Sequence, residues 1–462
     1  MGHARGRIVA LGLTLGAGLV AGCSSPLPRT DSIAGIDRAT LVDSAIEWTG
    51  ADAAVGASDA KDQVTGETLS LATATQLALR NSQTLQAALW RVRVAEADAR
   101  QERLLPNPVI ALTMRFVSGG GKPAVEASVA GDLLSLLRRG RKIDAADDRL
   151  RGAAAEALKE AIDVAGEAQE QYVAAAVIEE ELTVLTERRR LLDRVVDVAQ
   201  RRFEAGEGTR LDVTTLEAQR LELEADAADR QAERVQARIT LARVIGRPAG
   251  RTDWRLEPVA NPDAVAGAET DWIAAAIAAR PELQSHRWEL AALGEEQALA
   301  KWNVFDPSEV GVMSQRDPDW QVGPSVSLPL PIFDNGQAKR DKAAAQRVAA
   351  AHAWVATRRQ VIEEVRKAYA TTLATRAAVD HISGKLLPLL QTRSEQAEAA
   401  YRAGETDLTT FLLAEDTLQT TRFKLIELKE KAAVARVKLE RATGGAGAAA
   451  TVSPATRPAT RP

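Results

Sequence analysis

Four landmarks occur twice in this chain, in the same order and about 200 residues apart. Ala78-Leu79-Arg80 with Leu85 beyond it returns as Ala278-Ala279-Arg280 with Leu283 beyond. The break Pro106-Asn107-Pro108 returns near Asp306-Pro307. Val129 and Gly140 return as Val326 and Gly336, and Phe203-Glu204-Ala205-Gly206-Glu207 returns as Tyr401-Arg402-Ala403-Gly404-Glu405. Ordered recurrence at nearly constant spacing means a duplicated structural unit, and a missed repeat miscalls a whole fold. Each copy reads helix, proline break, short strand pair, glycine turn, long helix, tight turn, returning helix.

Composition agrees with a mostly helical chain. Its 462 residues are 45% hydrophobic but only 4% aromatic, and Ala and Leu alternate with Glu, Arg and Gln, a helix-forming mixture. The formal net charge is -4, with no basic stripe interleaved with aromatics, which argues against a nucleic-acid partner. Four histidines and one cysteine leave no metal cluster, no disulfide framework and no cofactor motif. Carboxylates are scattered along helix faces, so no catalytic constellation emerges and an enzyme is not expected.

The single cysteine has a telling context. A basic start (His3, Arg5, Arg7) precedes the 13-residue apolar run Ile8 to Val20, too short to span a bilayer. Leu19-Val20-Ala21-Gly22-Cys23-Ser24 follows. This is the layout of an export signal, and a Cys after Ala-Gly resembles the bacterial lipoprotein box. The resemblance implies a signal peptide over 1–22 and acylation, including palmitate, of Cys23, with several acyl chains for stable anchoring. An ordinary signal peptide with an incidental cysteine is the alternative. Ser24, rather than an acid, resembles lipoproteins sorted to the outer membrane. Residues 23–68 read as a tether, and 444–462 as a disordered tail.

Between these ends the period of the apolar residues changes with position. Leu71 to Leu105 has helical spacing until Pro106 and Pro108 stop it. Ile110, Leu112, Met114 and Phe116 then alternate with Ala111, Thr113 and Arg115, the period of a strand. Gly119-Gly120-Gly121 turns the chain, and Val125, Ala127 and Val129 mark a second strand. Strands are expected at about 109–117, 123–130, 309–316 and 320–328, the last weakened by Gly323 and Pro324. Long helices are expected over about Ile143–Arg202 and Ala338–Ala403, the second kinked or jointed at Pro388. Leu185, Leu192 and Ala199 recur every seven residues, as in coiled coils, and Arg189 interrupts a neighbouring seam. Returning helices are expected over Leu211–Val244 and Leu408–Ala442. The first repeat thus spans 69–246, a linker 247–270 and the second repeat 271–443.

Four amphipathic strands joined by short turns cannot close a barrel alone. An open edge in lipid strands backbone groups at several kcal/mol each. If the strands face lipid, several chains must cooperate, and three would supply twelve strands, an acceptable even number. Soluble hairpins packed on helices are the other possibility.

The ordered motifs resemble a TolC-type outer-membrane efflux protein of the lipid-anchored kind. They are the paired helix-strand-strand-helix units, Pro106-Asn107-Pro108, Leu328-Pro329-Leu330-Pro331-Ile332-Phe333-Asp334-Asn335-Gly336-Gln337, and the two glycine turns. The resemblance covers about Leu69 to Ala442. It implies a mainly α fold with a transmembrane β part: a homotrimer whose twelve-stranded β-barrel, four strands per chain, continues as a long periplasmic α-helical barrel. It further implies a passive outer-membrane exit duct docked to a periplasmic adaptor (membrane fusion protein) and an inner-membrane efflux pump. A periplasmic coiled-coil structural lipoprotein without a channel stays open as the alternative.

In the family the two turns form the periplasmic tip, so Phe203, Gly206, Thr209, Leu211, Tyr401, Gly404, Thr406 and Leu408 become candidate tip residues. Gly206 and Gly404 suit a sharp helix end, and Thr209 and Thr406 can cap the returning helices. The acid that many relatives place before an Ala in the pore constriction is here Leu413, before Ala414, while Glu217 precedes Ala218 in the first copy. Glu217, Glu415 and Asp416 are the candidate gate acids, and Arg188-Arg189-Arg190 is a basic run nearby. The Pro-Leu-Pro-Ile-Phe-Asp run resembles the heavy-metal-cation branch but recurs in others, so the cargo stays open.

Overall fold

A computed structural model describes residues 40, 46, 48–50, 68–116, 123–261, 264–316 and 319–445. Cys23, the signal segment, most of the tether, the Gly119–Gly121 and Asp317-Pro318 turns and the tail beyond Gly445 lie outside the described residues. The chain divides into two compact units. One contains Leu89–Glu156 and Glu282–Ala356; the other contains Ala157–Pro281 together with the described parts of Ser32–Ala88 and Thr357–Pro462.

The first unit carries a four-stranded antiparallel sheet, β2 (Val109–Arg115), β3 (Ala124–Gly131), β5 (Glu309–Arg316) and β6 (Trp320–Ser327), in that order. Each repeat thus supplies one hairpin, and β3 pairs with β5 to join them. The bounds fall within two residues of the alternation in the sequence. Gly323 and Pro324 do not interrupt β6, contrary to the expectation. β6 is the edge strand of the single chain, a position that tolerates a proline.

The same unit contains most of α2 (Gln83–Glu102), the start of α3 (Leu133–Glu204), nearly all of α6 (Pro281–Ala300) and the start of α7 (Gln337–His381). Arg103 holds Asp147 through two bonds of 2.6 and 2.7 Å. The buried Arg138 holds Asp306 at 2.6 Å and Asn303 at 3.2 Å. Helix α3 starts ten residues before the expected Ile143, because Asp132 accepts from the Ser135 N–H (2.9 Å) and caps it. Gly140 is therefore inside a helix and no turn; the glycine turn belongs only to the second copy, at Gly336 (φ +75°).

The second unit is helical. The helix expected over Leu71–Leu105 is two helices, α1 (Leu71–Asn81) and α2, parted at Ser82. There the backbone turns extended, and the Ser82 hydroxyl accepts from the Leu85 N–H at 3.1 Å. The second copy breaks likewise at Arg280, between α5 (Glu269–Ala279) and α6. A two-residue parallel bridge unforeseen from sequence joins β1 (Thr68–Leu69) to β4 (Arg255–Leu256) in the linker. Tyr172, from α3, clamps it by donating to the carbonyls of Leu69 (2.8 Å) and Glu257 (2.9 Å). Burial is the main reason its phenol is pushed up to about 12.

Pro388 sits just after a π-helical turn, Ile382–Leu386, that joins α7 to α8 (Leu387–Ala403). Such a turn absorbs the hydrogen bond that proline cannot make. Helices α4 (Arg210–Val244) and α9 (Leu408–Ala442) return as expected. Leu185, Leu192 and Ala199 are buried with Val213, Leu216, Tyr401 and Phe411, so the seven-residue spacing is a packing seam. Arg189 leaves the seam for the surface, 3.5 Å from Glu224.

Candidate functional site: an apolar sheet face and two matched turns

Register decides which strand residues share a face. Ile110 lies opposite Val129, Leu112 opposite Ala127 and Met114 opposite Val125. Val129 lies opposite Val312, which lies opposite Pro324; Val310 lies opposite Val326, and Arg316 opposite Trp320. Directly opposed residues point the same way. One face therefore carries Ile110, Leu112, Met114, Val129, Val312, Val322 and Val326, all exposed. The other carries Thr113, Arg115, Glu126, Ser128, Gln315, Gln321 and Ser325. No described helix is long and apolar enough to cross a membrane. Strands β2 and β6 are both unpaired edges.

The two turns have the same backbone. Gly206 and Gly404 both sit at φ +78°, the left-handed region a side chain resists. Gly206 N–H donates to the Phe203 carbonyl (3.0 Å) and Glu207 N–H to that of Arg202 (2.8 Å). Gly404 N–H donates to Tyr401 (3.1 Å) and Glu405 N–H to Ala400 (2.9 Å). Each is a Schellman helix end. Three residues later the returning helix is capped. Thr209 accepts from the Asp212 N–H (3.2 Å) while Asp212 accepts from the Thr209 N–H (3.1 Å), a reciprocal capping box. In the second copy the cap is Asp407, not Thr406: its carboxylate accepts from the Thr410 N–H at 2.9 Å. Bonds from the Thr410 hydroxyl and N–H hold the Asp407 carboxyl below its usual range.

That cap fixes the internal alignment at a spacing of 198 residues, so Thr209 matches Asp407 and Thr406 matches Gly208. Leu211 and Leu408 are therefore not equivalents: Leu211 is 72% exposed and Leu408 8%. Val213 matches Phe411, and both are buried. Phe203 is 40% exposed, whereas its counterpart Tyr401 is buried and stacked on Phe411 at 5.9 Å.

Arg202 ties the turns together and was not singled out from sequence. Its guanidinium donates to the Tyr401 carbonyl at 2.8 Å and lies 5.0 Å from the center of the Tyr401 ring. Burial pushes the Tyr401 phenol up, against the opposing pull of Arg202. The sequence signal was present: an Arg one residue before the aromatic of a repeated turn, with Ala400 in its place in the second copy.

The three acids separate. Glu217 is exposed. Its counterpart Glu415 is buried, accepting from the Ser394 hydroxyl (2.8 Å) and the Gln419 amide (2.5 Å). Asp416 is exposed, with Arg188 at 3.9 Å.

Comparison with known proteins completes the picture. Residues 74–247 and 306–445 match the family described as outer membrane efflux protein. The chain belongs to that family. It is similar to the pyoverdine export outer membrane protein OpmQ of Pseudomonas aeruginosa, 26% identical over 419 residues, covering 80% of this chain and 84% of that one. Among solved structures, CusC aligns with a TM-score of 0.67 at 18% identity, over 81% of this chain and 91% of that one. The outer membrane protein VceC of Vibrio cholerae aligns with a TM-score of 0.66 at 17% identity, over 81% and 96%. The chain is thus an outer-membrane efflux protein of TolC-type fold, mainly helical with a four-stranded sheet.

Proposed function

We propose that three copies of this chain form the passive exit duct of a tripartite efflux system. The observation that carries the proposal is the single apolar face running in register across all four strands, with its large side chains on β2 and β6 exposed, between two unpaired edges. In lipid, those edges cost several kcal/mol per stranded group unless they pair with other copies. Twelve strands from three chains provide closure. The long helices then continue the tube into the periplasm, with the Gly206 and Gly404 turns at its tip. Cys23 carries the lipid anchor.

At the tip, a periplasmic adaptor docks against the exposed Phe203 and Leu211, and an inner-membrane pump supplies the energy. The duct itself performs no bond chemistry. Glu217, Glu415 and Asp416 are the acids nearest the closing point, and their different burial makes Glu217 and Asp416 the ones available to passing cargo. OpmQ is described as a pyoverdine export protein; the cargo here is set by the pump and adaptor upstream.

Gly404→Val tests the tip. A β-branched residue at φ +78° costs roughly 1–2 kcal/mol in backbone strain. Export falls while trimers still form, as read by drug or metal accumulation and by sedimentation in detergent. Unimpaired export would remove the tip assignment, and a lone chain in detergent would remove the duct.

A further inference from the structure

The helical unit holds a cavity of about 310 Å³ between α3, α9 and the linker segment that follows β4. Its floor is apolar: Val173 and Val177 from α3 form a buried cluster with Ile426 and Ala433, and Val259 packs on that cluster. Pro258 completes the wall. Nothing in the duct reading uses this space.

The rim is acidic, and its charges are unequally satisfied. Glu179 is held by Arg234 at 2.8 Å and by Arg238 at 2.6 Å. Glu180 is held by Lys429 at 2.6 Å. Glu430 makes no hydrogen bond or ion pair among the described residues. Burial first and the neighboring Glu427 second hold its carboxyl above the usual range, with Lys431 pulling the other way. A cation arriving there would favor the ionised carboxylate. The exposed Glu257 also lines the cavity, so the half-buried Glu430 is the unmatched carboxylate nearest the apolar floor; volume, floor and that carboxylate are what a ligand with an apolar body and a positive charge requires.

We infer that this cavity binds a small amphiphilic organic cation, its charged nitrogen at Glu430 and its apolar body on Val173, Val177 and Val259. An anion of the same shape meets the unpaired Glu430 carboxylate, with Lys429 already engaged by Glu180, and is rejected.

The test uses the full-length protein in lipid nanodiscs, titrated calorimetrically with hexyltrimethylammonium, with empty nanodiscs as the blank. Hexanesulfonate is the shape-matched anion. The expected result is saturable binding of the cation and none of the anion. Glu430→Gln, nearly isosteric, weakens the cation about tenfold, the scale of one lost charge-assisted contact. Val259→Trp fills the cavity and abolishes binding. Circular dichroism and particle size confirm that both variants remain folded. Absence of binding to the unaltered protein, equal binding of the two probes, or binding untouched by both substitutions would overturn the inference.

Discussion

The two turns share one backbone and differ in what their side chains face. Gly206 and Gly404 adopt the same φ, and the same pair of hydrogen bonds ends each helix. Yet Tyr401 is buried while its counterpart Phe203 is 40% exposed, and Leu211 at the start of α4 stands in solvent. Glu415 is enclosed by Ser394 and Gln419, while its counterpart Glu217 is exposed. Duplication preserved the bend, because only glycine fits it cheaply, and left the surrounding positions free to diverge. The first turn keeps apolar side chains at the surface, and the second packs its own.

That asymmetry can be broken by substitution. The largest effect is expected from Phe411→Ala, which empties a fully buried site and costs about 3–5 kcal/mol. Its counterpart Val213→Ala costs about 2 kcal/mol. Hydrogen exchange at the ends of α8 and α9, against α3 and α4, reads the difference; equal loss of protection would break the comparison. Next is Arg202→Gln, which removes a charged donor to the Tyr401 carbonyl and loosens the two turns from each other by about 2 kcal/mol. Spin labels on the two turns should move apart, and an unchanged distance would show that Arg202 is no tie.

Tyr172→Phe provides a reference away from the turns, with an expected cost of about 1.5 kcal/mol. A phenol raised in the folded state from 10.0 to about 12 contributes stability that is fully present below pH 10.0 and lost as pH rises toward about 12. The gap between wild type and variant, measured by denaturant melts, should therefore narrow across that window. A constant gap would contradict the buried-phenol account. The smallest effect separates the caps: Thr209→Ala costs about 1 kcal/mol. Thr406→Ala stays within about 0.5 kcal/mol, and helix-end exchange would distinguish them.

Much of this was legible in the chain. Alternation located all four strands because each has one apolar and one polar face, and the Gly turns and returning helices followed from the repeat. Four features resisted. Gly140 suggested a turn, but Asp132 caps the helix eight residues earlier, and a helix tolerates one glycine at roughly 1 kcal/mol. Thr406 looked like the counterpart of Thr209 because both are threonines near a glycine; the 198-residue spacing of Phe203 and Tyr401 puts Asp407 there instead, and its hydrogen bond agrees. The β1–β4 bridge and the grip of Arg202 on Tyr401 join residues 187 and 199 positions apart, beyond any local pattern.

The central claim is that three copies seal twelve strands in lipid around a hollow interior. Electron cryo-microscopy of the full-length protein in lipid nanodiscs tests it most directly. The account predicts a three-fold particle in which β2 of one copy pairs with β6 of the next and Ile110, Leu112 and Val322 face acyl chains. A single chain with that apolar face folded against its own helices, away from the bilayer, would contradict it.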